Sequence, residues 1–223
     1  MSVAPTAGTT AGEEAYGLKL GPLRMRPGVA RGHVGTLFFV SFFAIATMNA
    51  IGVLQPYVLN VILKIPQNEQ GALTANLVTL QEIVGLILLA PVGALSDRWG
   101  RRTLFATGYA FLAVGYCLYP LADGRIELAM FRLLLASGVA CVNTMLPAIA
   151  NDYAIDATRA KMIAATFIFN GLGIATLPRL LGGLPSWFAS RGADPVWAGR
   201  YAYWCLAALC VVLGLVLLRG LKP

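Results

Sequence analysis

The chain has 223 residues, of which 58% are hydrophobic and 12% charged, with a formal net charge of +7. A soluble domain carries about twice that charge, so the composition excludes an ordinary soluble globular domain. It points to a bilayer, where an apolar run of about 20 residues crosses roughly 30 Å of hydrocarbon.

Residues 1–32 are polar and rich in Gly, Ala, Pro and Thr. No apolar core follows a basic start, so this is not read as a signal peptide. The expectation is a cytoplasmic tail, disordered over Met1–Glu14, with Lys19–Arg31 lying on anionic headgroups. Six apolar runs follow, at about 33–63, 71–95, 103–121, 126–150, 161–184 and 200–218, with 221–223 as a short C-terminal tail. Unpaired backbone groups are not tolerated in lipid, so each run is predicted to be a helix. The first run is longer than a span requires, and Pro56, one turn after Gly52, offers a kink. The expected fold is an all-α, six-helix transmembrane bundle.

The basic residues sort by loop. With the N-terminus inside, eleven lie in inner segments and four (Lys64, Arg125, Arg191, Arg200) in outer ones. Short loops rich in Lys and Arg are retained in the cytoplasm, so both termini are predicted to lie inside. The same sorting argues against nucleic acid as the partner, because the cations form no basic soluble module. The long outer connection Pro185–Gly199, with Trp187 and Trp197, reads with Tyr201, Tyr203 and Trp204 as an interfacial aromatic belt.

Cys117, Cys141, Cys205 and Cys210 all fall in apolar runs, with neither metal-ligand nor disulfide spacing. His33 sits at a membrane boundary. There is no phosphate loop carrying a Walker lysine, no metal-binding cluster and no nucleophile–base pair. The reading is therefore a non-enzymatic chain with no cofactor and no metal.

Between the second and third runs lies Gly93-Ala94-Leu95-Ser96-Asp97-Arg98-Trp99-Gly100-Arg101-Arg102. This stretch resembles the signature loop of the Major Facilitator Superfamily of secondary transporters. The inner end of the fourth run, with Asp152 and then Arg159, resembles the charged link between the fourth and fifth helices of these proteins. Arg132, followed by Ser137, Gly138 and Ala140, and the Gly/Pro content of the fifth run add to the likeness. The resemblance covers about residues 33–220 and implies one six-helix half of a twelve-helix transporter. It also implies a gating role for Gly93, Asp97, Arg98, Gly100, Arg101 and Arg102. Asp97 would cap a helix in the opposite half, with Arg101 as its partner.

Ionisable groups at membrane depth face protein or water. Glu82 and Arg132 are accordingly read as an interior ion pair or as a proton or substrate site. Asn49, Gly52, Pro56 and Asn60 share one face of the first helix; Thr166, Asn170 and Gly173 share one of the fifth; Asn143 lies about three turns after Arg132. With Asn76, these residues predict a hydrated cavity. Gly108, Gly115, Gly171 and Gly182 are expected at close helix contacts, and Arg179 is expected to snorkel outward.

The functional expectation is a half-size transporter subunit in the cell (inner) membrane. It would move a small solute by alternating access, with a second six-helix unit, identical or separately encoded, supplying the other wall. The alternatives are a non-transport scaffold within a larger complex and the N-terminal part of a longer transporter.

Overall fold

The computed structural model describes residues 17–222. The expectation of disorder over Met1–Glu14 lies outside the described residues. Six helices are long and apolar enough to cross a membrane. They are α1 (Arg31–Tyr57), α2 (Gln67–Trp99), α3 (Arg101–Leu118), α4 (Arg125–Tyr153), α5 (Arg159–Ser190) and α6 (Pro195–Gly220).

Most helices run past their apolar stretches. At 33 residues α2 is about 50 Å long, so it tilts or projects from the hydrocarbon. α1 passes through Pro56 without stopping and widens into a π-helical turn at Val58–Ile62. Proline removes one intrahelical bond, and here the next turn shifts register to continue the helix. α5 likewise runs through Pro178 and Pro185 to Ser190. The outer connection is therefore much shorter than the expected 185–199. It turns at Gly192, which has φ 91°, and ends where the Asp194 carboxylate caps α6 by accepting from the Val196 N–H at 2.9 Å.

The helices form two rows. α2, α4, α1 and α5 make the front: α2 packs on α4, and α1 packs mainly on α5. Behind them α3 is pressed between α4 and α6. Small residues set the crossings. A Cβ on Gly138 would lie 2.8 Å from the Gly108 carbonyl oxygen, and one on Gly173 would lie 1.7 Å from that of Phe42. Backbones approach this closely only where a side chain is missing. Gly115 is similarly closed off by Leu135, whereas a Cβ at Gly171 meets nothing within 4 Å. Gly182 faces only the end of the Val53 side chain.

Part of the expected tail is folded. Lys19–Leu20 (β1) and Leu23–Arg24 (β2) form a hairpin turning at Gly21, with φ 55°. The strap then bonds to the α4–α5 link. The Arg26 N–H donates to the Tyr153 carbonyl (2.9 Å), the Ile155 N–H to that of Arg24 (3.2 Å), and the Thr158 hydroxyl to the same Arg24 oxygen (2.8 Å). Met25 is fully buried against this link. Two-residue strands leave no periodic trace in a sequence, and the bonds that hold them come from distant groups, such as the Thr158 hydroxyl 134 positions from Arg24.

Candidate functional site

The front of the bundle is open. Only 11% of the core span of α2 and 28% of that of α5 is buried, against 44–61% for the other four. Asn49, Gly52 and Pro56 of α1, Asn60 of the π-helical turn that follows it, Asn76, Thr79 and Glu82 of α2 and Asn143 of α4 are all exposed. Asn49 satisfies its amide on its own helix, at the Ile45 carbonyl (2.9 Å). Glu82 makes no ion pair among the described residues.

Two of the polar positions go elsewhere. Asn170 and Thr166 are buried, because the stripe they share with Gly173 is where α5 crosses α1. Small and short polar residues suit a close crossing as well as they suit a cavity, so the stripe alone does not separate the two. Arg132 is also inside, 2% exposed, and does not meet Glu82.

Arg132 belongs to a buried network that the sequence did not disclose. Its guanidinium donates to Gln55 Oε1 at 2.9 Å. The Tyr119 hydroxyl donates to the same oxygen at 3.2 Å, and Gln55 Nε2 donates to Thr74 Oγ1 at 3.0 Å. Tyr203 stacks on Tyr119 with centroids 5.6 Å apart, and the Tyr116 hydroxyl donates to the Thr47 carbonyl. The network joins α1, α2, α4 and α6 with the end of α3. No carboxylate neutralises Arg132 among the described residues, so a neutral amide and tyrosine rings surround a cation. A glutamine next to a proline in an apolar run was the available signal. Its partners lie on other helices and were not recoverable from spacing.

At the end that carries the strap and Leu221, α2 stops at Trp99 and α3 starts at Arg101. Gly100 serves as the cap of both, at φ 83°, a conformation that only glycine adopts without strain. Arg101 pairs with Asp152 and donates to the Ala148 carbonyl at 2.9 Å, which fixes the loop to α4. Asp97, for which Arg101 was the expected partner, is exposed and unpaired among the described residues. Arg98 is exposed too, and Gly93 supplies the carbonyl that accepts from the Ser96 hydroxyl at 2.7 Å. Arg102 donates to the Leu221 carbonyl at 3.3 Å. Arg159 pairs with Asp156, which also lies 3.8 Å from Arg26. Asp152 and Arg159 thus serve two separate clusters.

Six helices long and apolar enough to cross a membrane, with a glycine-hinged basic loop tied to the fourth of them, define an integral, multi-pass membrane protein. The sequence profile of the Major Facilitator Superfamily matches residues 37–223, and the chain belongs to that family. It is 27% identical over 158 residues to magnetosome protein MamH of Paramagnetospirillum magneticum, covering 67% of this chain and 37% of MamH. It is 27% identical over 187 residues to magnetosome protein MamZ of the same organism, covering 78% of this chain and 27% of MamZ. An uncharacterized MFS-type transporter of Mycobacterium tuberculosis is 28% identical over 86 residues, 39% of this chain and 21% of its own length. The matched stretches therefore cover between 21% and 37% of the length of these curated relatives. Members of this family are generally transporters of small molecules rather than enzymes.

Proposed function

We propose that the chain is one wall of a secondary transporter, in the cell membrane with both termini cytoplasmic, completed by a second six-helix unit. The open front carries this reading. Acyl chains cannot satisfy Asn49, Asn76, Asn143 and Glu82, so protein or water covers them. The greater length of the relatives is what a second half would add. Between the two units the asparagines would contact a small solute, and Glu82 would bind the solute or a driving proton. Asp97, free of any ion pair among the described residues, is available to cap a helix of the opposite unit when the inner side closes. A non-transport scaffold remains the second reading, supported by the names of two relatives, which are those of magnetosome proteins rather than of transporters.

Purification in mild detergent tests the pairing. The expected result is a dimer, or a complex with another six-helix chain, that transports when reconstituted. Cysteines replacing Ser96 and Ala164 are expected to crosslink between the two units of a homodimer, with a yield that changes with substrate. A monomer that transports, or crosslinks confined to one chain, would exclude pairing through this face. A stable complex with no flux of any solute would favour the scaffold.

The orientation has its own check. Ser186 is exposed near the end of α5 opposite the signature loop. A cysteine there is expected to react with a membrane-impermeant maleimide from outside the cell only. Labelling from the cytoplasm alone would invert the topology.

A further inference from the structure

The end of the bundle that carries the signature loop contains a cleft of about 770 Å³. Its walls are the α2–α3 turn, the last turn of α4, the N-terminal strap and the C-terminal segment. Four cations line it, Arg26, Arg101, Arg102 and Lys222, against the carboxylates of Asp97 and Asp152.

The pairing within the cleft is lopsided. Arg101 uses Asp152. Arg102 and Lys222 are held by neutral carbonyls, those of Leu221 at 3.3 Å and Pro27 at 3.4 Å. Arg26 reaches only Asp156, which Arg159 already engages. Among the described residues of the cleft, Asp97, on the α2 wall, is thus the unpaired carboxylate, set against three cations with incomplete neutralisation. Gly100 brings no side chain to cap α3, so the first-turn N–H groups of that helix also open onto the cleft. Trp99 stands 57% exposed at the rim. A tryptophan at the end of a span marks the headgroup level of the bilayer.

We propose that this cleft binds a phosphate group, with Arg102 and Lys222 as its principal ligands and Arg26 as the third cation. With Trp99 in its lining as a headgroup-level residue, an anionic lipid headgroup is the natural source, and free phosphate is the other source of the same chemistry. An occupant would bridge the strap, the signature loop and the C-terminal segment, which otherwise meet through few hydrogen bonds. The cleft shares Asp97 with the pairing proposed above, but its walls belong to one chain, so lipid retention is expected whether or not a second unit is bound.

Native mass spectrometry of the whole protein, released from nanodiscs of mixed phosphatidylglycerol and phosphatidylcholine, tests the proposal. Wild type is expected to retain phosphatidylglycerol in preference. R102Q and K222Q are each expected to weaken that preference about fivefold, the worth of one cation near an anionic headgroup. R102K keeps the charge and is expected to retain the lipid, which separates binding from a folding defect. In parallel, thermal unfolding in detergent compares inorganic phosphate with chloride at equal ionic strength. Stabilisation by phosphate without lipid enrichment would assign the site to the free anion. Equal retention of phosphatidylglycerol by wild type and the R102Q/K222Q double variant, with no effect of phosphate, would overturn the proposal.

Discussion

Replacing Gly173 by alanine is expected to destabilise the bundle by about 3 kcal/mol or more, the upper end of overpacking costs. The added methyl would lie 1.7 Å from the Phe42 carbonyl oxygen. No rotamer relieves that overlap, since the partner is backbone. α1 and α5 must move apart along the principal contact that α5 makes. Gly171→Ala, two residues earlier, is the matched control: its Cβ meets nothing within 4 Å, and alanine is the better helix former. Thermal unfolding of detergent-solubilised protein reads the difference. Equal midpoints for the two variants would mean that the crossing is looser than described here.

The second large effect has opposite signs at two touching residues. Gln55→Leu removes the acceptor of Arg132 and of Tyr119 and the donor to Thr74. A buried cation left without its hydrogen bond is expected to cost about 3 kcal/mol. Arg132→Met instead removes the charge itself and fills the volume with an apolar chain. Such replacements of buried charge are often neutral or stabilising, so the unfolding midpoint is expected to hold or rise. The double variant is then expected to be more stable than Gln55→Leu alone, which a double-mutant cycle measures. A loss at Arg132→Met equal to that at Gln55→Leu would show that the guanidinium organises the network rather than burdening it. If transport falls in Arg132→Met while stability holds, the cation is kept for function.

Membrane insertion, helix number and family were already determined by the sequence. Six apolar runs leave the backbone no alternative to helix in lipid, and the Gly93–Arg102 signature is local, dense in charge and glycine, and bound to one loop geometry. Gly100 illustrates why such a motif is legible: its role is set by its own φ and by the helices on either side of it. Asn49, Asn76 and Asn143, expected to line a hydrated cavity, are exposed. What only the tertiary structure decided involves choices between partners. Arg101 had two carboxylates within plausible reach and takes Asp152; Arg132 takes an uncharged glutamine from another helix instead of Glu82. Asn170 sits on a polar stripe that serves a close crossing. The strap at residues 17–30 owes its structure to backbone groups of the α4–α5 link. Periodicity places a side chain on a face of its own helix, but which helix covers that face depends on how six cylinders of similar hydrophobicity pack. In this bundle that is set by where glycines let the backbones touch.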